Sequence, residues 1–198
     1  MLRVWSDFLT AADRQQVTLL GLLDLSAAFD CVDHTILLQR LCSVFGLTDV
    51  VLQWIESFLS NRTQQVAFNG QLSVTQPVLF GVPQGSVLGP LLYVLYTAEL
   101  DKVVARHGFQ IHQYADDIQI YTYTTIDNAA SADRFATCLT DVEAWLRASR
   151  LRLNPTKTQV MWLGSSQQLA KLDISHVRVL SSCISMTTER ARVRCRAW

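Results

Sequence analysis

The chain is 198 residues long, 49% hydrophobic and 17% charged, which suits one domain with a substantial core and argues against disorder over most of the chain. Seventeen Lys and Arg balance seventeen Asp and Glu, so the chain lacks the strongly basic balance with which nucleic-acid proteins neutralise phosphates. Five cysteines without a Cys-x-x-Cys pair, and four histidines without ligand spacing, argue against zinc and against a disulfide framework. Reduced thiols point to an intracellular protein, cytoplasmic or nuclear. The longest apolar stretch, about Val87 to Ala98, contains Gly89 and Pro90 and is too short to span a bilayer. No secretory signal opens the sequence, and no membrane partner is expected.

The charge is unevenly divided. Residues 1–100 carry four basic and eight acidic side chains, and residues 101–198 carry thirteen and nine. An acidic first half suits metal binding. Much of the basic excess of the second half comes from the last dozen residues.

In chain order, the pattern predicts a helix over Leu2 to Ala12, then a buried strand over 17–24 ending at Asp24. Asp33 is the expected cap of a helix reaching Phe45 and closed by Gly46, with Ile36, Leu37, Leu41 and Val44 on one face. A second helix, capped near Thr48, runs to about Ser60 with Val51, Leu52, Ile55 and Leu59 inward. Residues 62–78 read as a hairpin turning at Asn69-Gly70. The Gly/Pro-rich loop Phe80-Gly-Val-Pro-Gln-Gly-Ser-Val-Leu-Gly-Pro90 feeds a helix to about Arg106, with Ser86 or Gly89 as cap and Pro90 in the first turn. Gly108 ends that helix. A hairpin over Phe109 to Tyr123 follows, turning at Tyr114-Ala115-Asp116-Asp117. A long helix from Ser131 to Ser149 packs through Phe135, Leu139, Val142 and Leu146, and a strand covers 158–163. Helices mixed with antiparallel hairpins predict an α+β fold, with helices on one face of an antiparallel sheet.

Two acids side by side at a hairpin tip repel one another and cost desolvation. Asp117 alone would serve a turn, and Asp24 alone a helix cap. An acid ending a central strand, together with an acidic hairpin, is the constellation of a metal clamp, because Mg²⁺ prefers carboxylate oxygens and leaves room for substrate phosphates.

Three segments together resemble motifs A, B and C of reverse transcriptases, most closely those of non-LTR (LINE-type) retrotransposons. They are Leu23-Asp24-Leu25-Ser26-Ala27-Ala28-Phe29-Asp30 with Val32-Asp33-His34, Gly81-Val82-Pro83-Gln84-Gly85-Ser86, and Tyr114-Ala115-Asp116-Asp117. Order and spacing both fit, and the similarity runs from about residue 1 to about residue 165. The resemblance implies a polymerase palm over 1–165 that performs RNA-directed DNA synthesis with two Mg²⁺ or Mn²⁺ ions. Its partners would be an RNA template with a DNA primer and deoxynucleoside triphosphates. Asp24 and Asp116 match the metal-bridging positions, and Asp117 the third acid. Phe29 matches the aromatic that blocks a ribose 2′-hydroxyl, although a core phenylalanine has the same sequence signal. Leu25, Gln84 and Gly85 match positions that contact nucleotide or template–primer, and Tyr114 a residue beside the primer terminus. Lys157, in Asn154-Pro155-Thr156-Lys157, matches a motif D lysine that protonates the departing pyrophosphate; a solvated lysine at a strand start reads equally well. Arg62 matches a recurrent family stretch without an assigned role.

The family's upstream fingers and its primer-grip and thumb patterns are not recognisable here. Residues 166–198 read as a divergent, poorly ordered tail with arginines at 190, 192, 194 and 196, either a nucleic-acid tail or a frameshifted end. The alternative function is therefore a catalytically inactive remnant of a retrotransposon polymerase. A palm-like cyclase would not need the Pro-Gln-Gly loop, and an RNA-binding sheet would carry exposed aromatics on adjacent strands where this chain has acids.

Overall fold

A computed structural model describes residues 2–125 and 130–171. The chain folds as a mixed α/β protein in the order α1 (Leu2–Asp13), β1 (Val17–Leu23), a 3₁₀ turn (Ala28–Cys31), α2 (His34–Ser43), α3 (Asp49–Leu59), β2 (Thr63–Gln64), β3 (Ala67–Phe68), β4 (Gln71–Leu72), β5 (Gln76–Pro77), α4 (Leu88–Thr97), α5 (Leu100–Ala105), β6 (Gln110–Tyr114), β7 (Asp117–Thr124), α6 (Ala130–Ala148), β8 (Gln159–Leu163) and α7 (Ser166–Leu169). It divides into two compact units. Of the described residues, one holds those up to Ser26, those from Leu100 to Leu146 and those from Leu153 to Lys171; the other holds Ala27–Glu99 and Arg147–Arg152.

The first unit is built on an antiparallel sheet in the order β6-β7-β1-β8. β1, Val-Thr-Leu-Leu-Gly-Leu-Leu, is central, and all of it except Leu22 is buried. Side chains alternate between faces along a strand. One face carries Val17, Leu19, Gly21 and Leu23 with Ile118, Ile120, Val160 and Trp162 from the neighbouring strands. These apolar side chains are buried, and Phe135 of α6 lies directly over Gly21. α6 presents Phe135, Leu139, Val142 and Leu146 as a fully buried stripe, and Phe109 meets Phe135 edge to face at 5.3 Å. The stripe matches the sequence expectation.

The other face is less covered. Leu22, Gln119 and Gln159, aligned across β1, β7 and β8, remain half-buried or exposed. Tyr121 lies on this face and donates its phenol to Asp7 of α1 at 2.8 Å. The helices are thus not confined to one face as expected, because α1 reaches the second face at Tyr121.

In the second unit, Asp33 caps α2 by accepting from the Ile36 N–H at 3.0 Å. Leu37 and Leu41 are buried, but Val44 is exposed. Thr48 does not cap α3 through its side chain; its hydroxyl bonds Asp49 instead, at 2.9 Å. Only Ile55 and Leu59 of the expected inward face are fully buried, and Val51 is exposed. The hairpin turns at Asn69 (φ +48°) and Gly70 (φ +74°), the left-handed pair that a tight hairpin turn requires. Ser86 caps α4 by accepting from Gly89 N–H at 2.9 Å. The single helix expected to Arg106 is two, and the break falls where Arg40 Nη1 donates to the Tyr96 carbonyl at 2.6 Å. The same guanidinium donates to the buried Ser149 hydroxyl at 2.7 Å, and Tyr96 OH donates to the Ser149 carbonyl at 2.6 Å. Burial lowers the Arg40 pKa against the opposing pull of Tyr96 and Glu99.

Among the described residues no helix is long and apolar enough to cross a membrane. The stretch read as a tail begins with α7, whose Ser165 and Gln168 form a capping box. The arginine series lies outside the described residues.

A Cβ at Gly21 would sit 2.8 Å from Phe135 Cζ, and that ring is wedged against Phe109. Gly21→Ala should therefore destabilise the fold by about 1–3 kcal/mol, read as a lowered urea midpoint with unchanged slope. Burial, then the Asp7 acceptor, raise the Tyr121 pKa from 10.0 to about 12. A raised folded-state pKa gives stability that is complete below the unfolded value and lost above it. Unfolding free energy should fall between pH 10 and about 12, and Tyr121→Phe should remove that component of the fall.

Candidate active site

Asp24 follows the last residue of β1, and Asp117 is the first of β7. The ladder ends at Leu23 opposite Ile118, so the next residue on each strand is an acid. Alternation puts both on the less covered sheet face. β6 and β7 close through Tyr114 opposite Asp117, leaving Ala115 and Asp116 as a two-residue turn. Ala115 has φ +55°, in the left-handed region that costs a residue with a Cβ roughly 1–2 kcal/mol. Asp116 is half-buried, Asp117 exposed, and Tyr114 78% exposed, so the Tyr114 ring is available for contact. Leu25 is buried and its backbone bridges Leu153; its side chain belongs to the core and offers a ligand only main-chain atoms.

The segment after α6 reaches back to Asp24. Asn154 N–H donates to the Asp24 carbonyl at 2.8 Å. The Asn154 carboxamide accepts from the Thr156 N–H and hydroxyl, and its carbonyl from Thr158 N–H and hydroxyl. This knot holds Lys157 with Nζ 3.7 Å from Asp24 Oδ2. The lysine is 69% exposed, and an exposed pair of this kind is worth only about 0–1 kcal/mol, too little to explain the arrangement by stability. Sequence reasoning marked Lys157 but missed Asn154, although Asn-Pro-Thr carries the signal of a side chain bonding its own backbone two residues on.

The other expected residues lie in the second unit. Phe29, half-buried on the 3₁₀ turn, stacks on the buried Tyr93 ring at 4.6 Å. Main-chain bonds join this turn to the Gly81 loop: Gly81 N–H to Val32 carbonyl at 2.8 Å and Val82 N–H to Phe29 carbonyl at 2.9 Å. Gly81 has φ +85°, and a Cβ there would meet Asp30 Cα at 2.9 Å, so only glycine permits this approach. Gln84 is exposed and donates its amide to Asp30 Oδ1 at 3.0 Å. Gly85, at φ +82°, has open space beside it. Arg62 is half-buried, and its carbonyl accepts from Val78 N–H at the base of the hairpin.

Asp24, Asp117 and Lys157 are thus gathered at one end of the sheet, with Asp116 in the adjoining turn. Among the described residues no group of three or more His, Cys, Asp or Glu side chains is close enough to hold a metal ion.

The fold is shared with telomerases of known structure. Apo telomerase from Candida tropicalis, truncated from its C-terminal domain, superposes with a TM-score of 0.62 at 16% identity, over 82% of this chain and 34% of that one. Telomerase from Candida albicans gives 0.61 at 15%, over 81% and 30%. Residues 3–185 match the family reverse transcriptase (RNA-dependent DNA polymerase), and the chain belongs to that family. It is 32% identical over 161 residues to the probable RNA-directed DNA polymerase from transposon BS of Drosophila melanogaster. It is 37% identical over 128 residues to the RNA-directed DNA polymerase from mobile element jockey of Drosophila funebris. These alignments cover 79% and 62% of this chain but only 17% and 14% of those proteins.

Ala115 spends left-handed strain on a turn that glycine adopts freely. Ala115→Gly should leave the hairpin register unchanged and stabilise the chain by up to about 1 kcal/mol, since the greater freedom of unfolded glycine offsets part of the gain. Chemical denaturation of the two proteins checks it.

Proposed function

We propose that this chain is the palm of an RNA-directed DNA polymerase of a non-LTR retrotransposon. It would join a primer 3′-hydroxyl to the α-phosphate of an incoming deoxynucleoside triphosphate on an RNA template. The observation that carries the reading is the meeting of an acid-terminated central strand with an acidic hairpin on the less covered face of the sheet.

Asp24 and Asp116 are the carboxylates that would hold two Mg²⁺ or Mn²⁺ ions, with Asp117 as the third acid. Carboxylate oxygens from separate segments suit hard divalent ions. Such ions keep waters and take substrate phosphates as further ligands, so an all-protein cage is not required. What the ions supply when bound is activation of the attacking oxygen and charge neutralisation at the leaving one. The Lys157 ammonium, beside Asp24, supports the same reading twice over. It balances the carboxylate charge in the resting protein, and a positioned ammonium can donate a proton to the departing pyrophosphate, worth roughly 10²–10⁴-fold for a well-placed acid. Tyr114 presents an exposed ring next to the acids, where a primer terminus would lie. Phe29 is braced by Tyr93 and would exclude a ribose 2′-hydroxyl. Gln84 and Gly85 contact the nucleotide and the template–primer.

Primer extension by the purified chain, on an RNA template with a DNA primer, deoxynucleotides and Mg²⁺, tests the proposal. Extension is expected, with loss of at least a thousandfold in Asp116→Ala, by removal of a metal-ion ligand worth several kcal/mol. Extension that survives in Asp116→Ala would assign it to a contaminant. No extension, beside an active full-length relative, would favour a remnant without turnover.

A further inference from the structure

The bond between Asp30 and Gln84 carries chemical information beyond packing. We propose that Asp30 is a positioning residue that fixes which end of the Gln84 carboxamide meets the incoming nucleotide; this rests on the reading of Gln84 as a nucleotide contact. An ionised carboxylate only accepts hydrogen bonds, whereas a carboxamide offers donors on one atom and an acceptor on another. Asp30 Oδ1 therefore takes the Gln84 Nε2 at 3.0 Å and leaves Oε1 as the presented atom. A glutamine so held points Oε1 away from the carboxylate and offers an acceptor to a nucleotide donor group, beside the one N–H that Asp30 leaves free.

The backbone beneath the pair is fixed, which gives an exposed hydrogen bond the geometry to act. Gly81 lies on Asp30 so closely that no other residue fits. Two main-chain bonds hold Gly81 and Val82 to Val32 and Phe29. His34 adds a third tie, with Nε2 2.8 Å from the Gly81 carbonyl. Because a carbonyl can only accept, that nitrogen carries the proton. Farther along the loop, Ser86 Oγ donates to the Pro83 carbonyl at 2.7 Å while accepting from Gly89. Both residues of the Asp30–Gln84 pair thus project from anchored main chain, and the bond to the Asp30 carboxylate restrains the Gln84 side-chain torsions, the carboxamide rotation among them.

The test compares wild type, Asp30→Ala, Asp30→Asn, Gln84→Ala and the double alanine variant. In ¹H–¹⁵N spectra, the Gln84 side-chain amide, assigned by its loss in Gln84→Ala, should move to the position of a solvated glutamine in Asp30→Ala. In primer extension, Asp30→Ala should raise KM for the deoxynucleotide about fivefold, the effect of one hydrogen bond, with kcat changed less than twofold. The double variant should match Gln84→Ala alone. Asp30→Asn, which can both donate and accept, should fall between wild type and Asp30→Ala. An unmoved Gln84 amide in Asp30→Ala overturns the orientation whether or not the chain polymerises, and additive KM effects overturn the coupling. A wild type that extends no primer while its Gln84 amide still answers to Asp30 overturns the polymerase reading and the nucleotide role, but leaves the orientation standing.

Discussion

The register of β1 against β7 is the constraint on which the candidate chemistry depends. Side chains alternate with period two, so a slip of one residue would send Ile118 and Ile120 to the opposite face and misalign Asp24 with the acidic hairpin. Gly21 pins that register. It pairs with Ile120 on one side and Val160 on the other, and the Phe135 ring fills the space its missing side chain leaves. A leucine brought there by a slip would collide with a ring already locked by Phe109. One glycine in an otherwise leucine-rich strand thus decides which residues stand at the strand end.

Strand ends are good places for groups that do not stabilise a fold. Asp24 lies where the ladder stops, so its carboxylate escapes the full cost of burial while its main chain stays fixed by Asn154. Asp116 occupies a turn whose preceding residue is held at φ +55°. Strain at Ala115 and like charge at Asp116 and Asp117 are both costs, and no described contact of the two carboxylates offsets them. Structure tolerates such features where a ligand supplies the balance.

Much of this was legible in the residues. The strand to Asp24, the Asn69-Gly70 hairpin and the Phe135–Leu146 stripe follow from periodicity and turn chemistry. What was not legible depended on distant partners. The break after Thr97 falls where Arg40, far away in sequence, takes a helical carbonyl. Val51 is exposed, and the helix pattern alone does not say which apolar positions find distant neighbours. The same holds at the site. The acids announce themselves because carboxylates crowded into an apolar run are unfavourable without a purpose. Leu25, one residue on from Asp24, gives no sign from sequence that its side chain is buried beside Leu153.

The two kinds of candidate residue are held in different ways, and the difference has a physical reason. Asp24 and Asp117 take their positions from a sheet, where cooperative hydrogen bonding fixes each Cα with no need for side-chain bonds. Gln84 sits on a glycine-rich loop, which has no such ladder and needs flexibility near φ +82° at Gly85. A loop can hold a side chain to comparable accuracy only if local bonds restrict both its main chain and its last torsion. Gly81, Val82 and His34 restrict the first; Asp30 restricts the second. The Asp30–Gln84 bond would look dispensable in a tally of stability, since an exposed hydrogen bond contributes little net free energy. Its value would lie in the geometry it enforces, so substitution of Asp30 should disturb the presentation of Gln84 while leaving the fold intact.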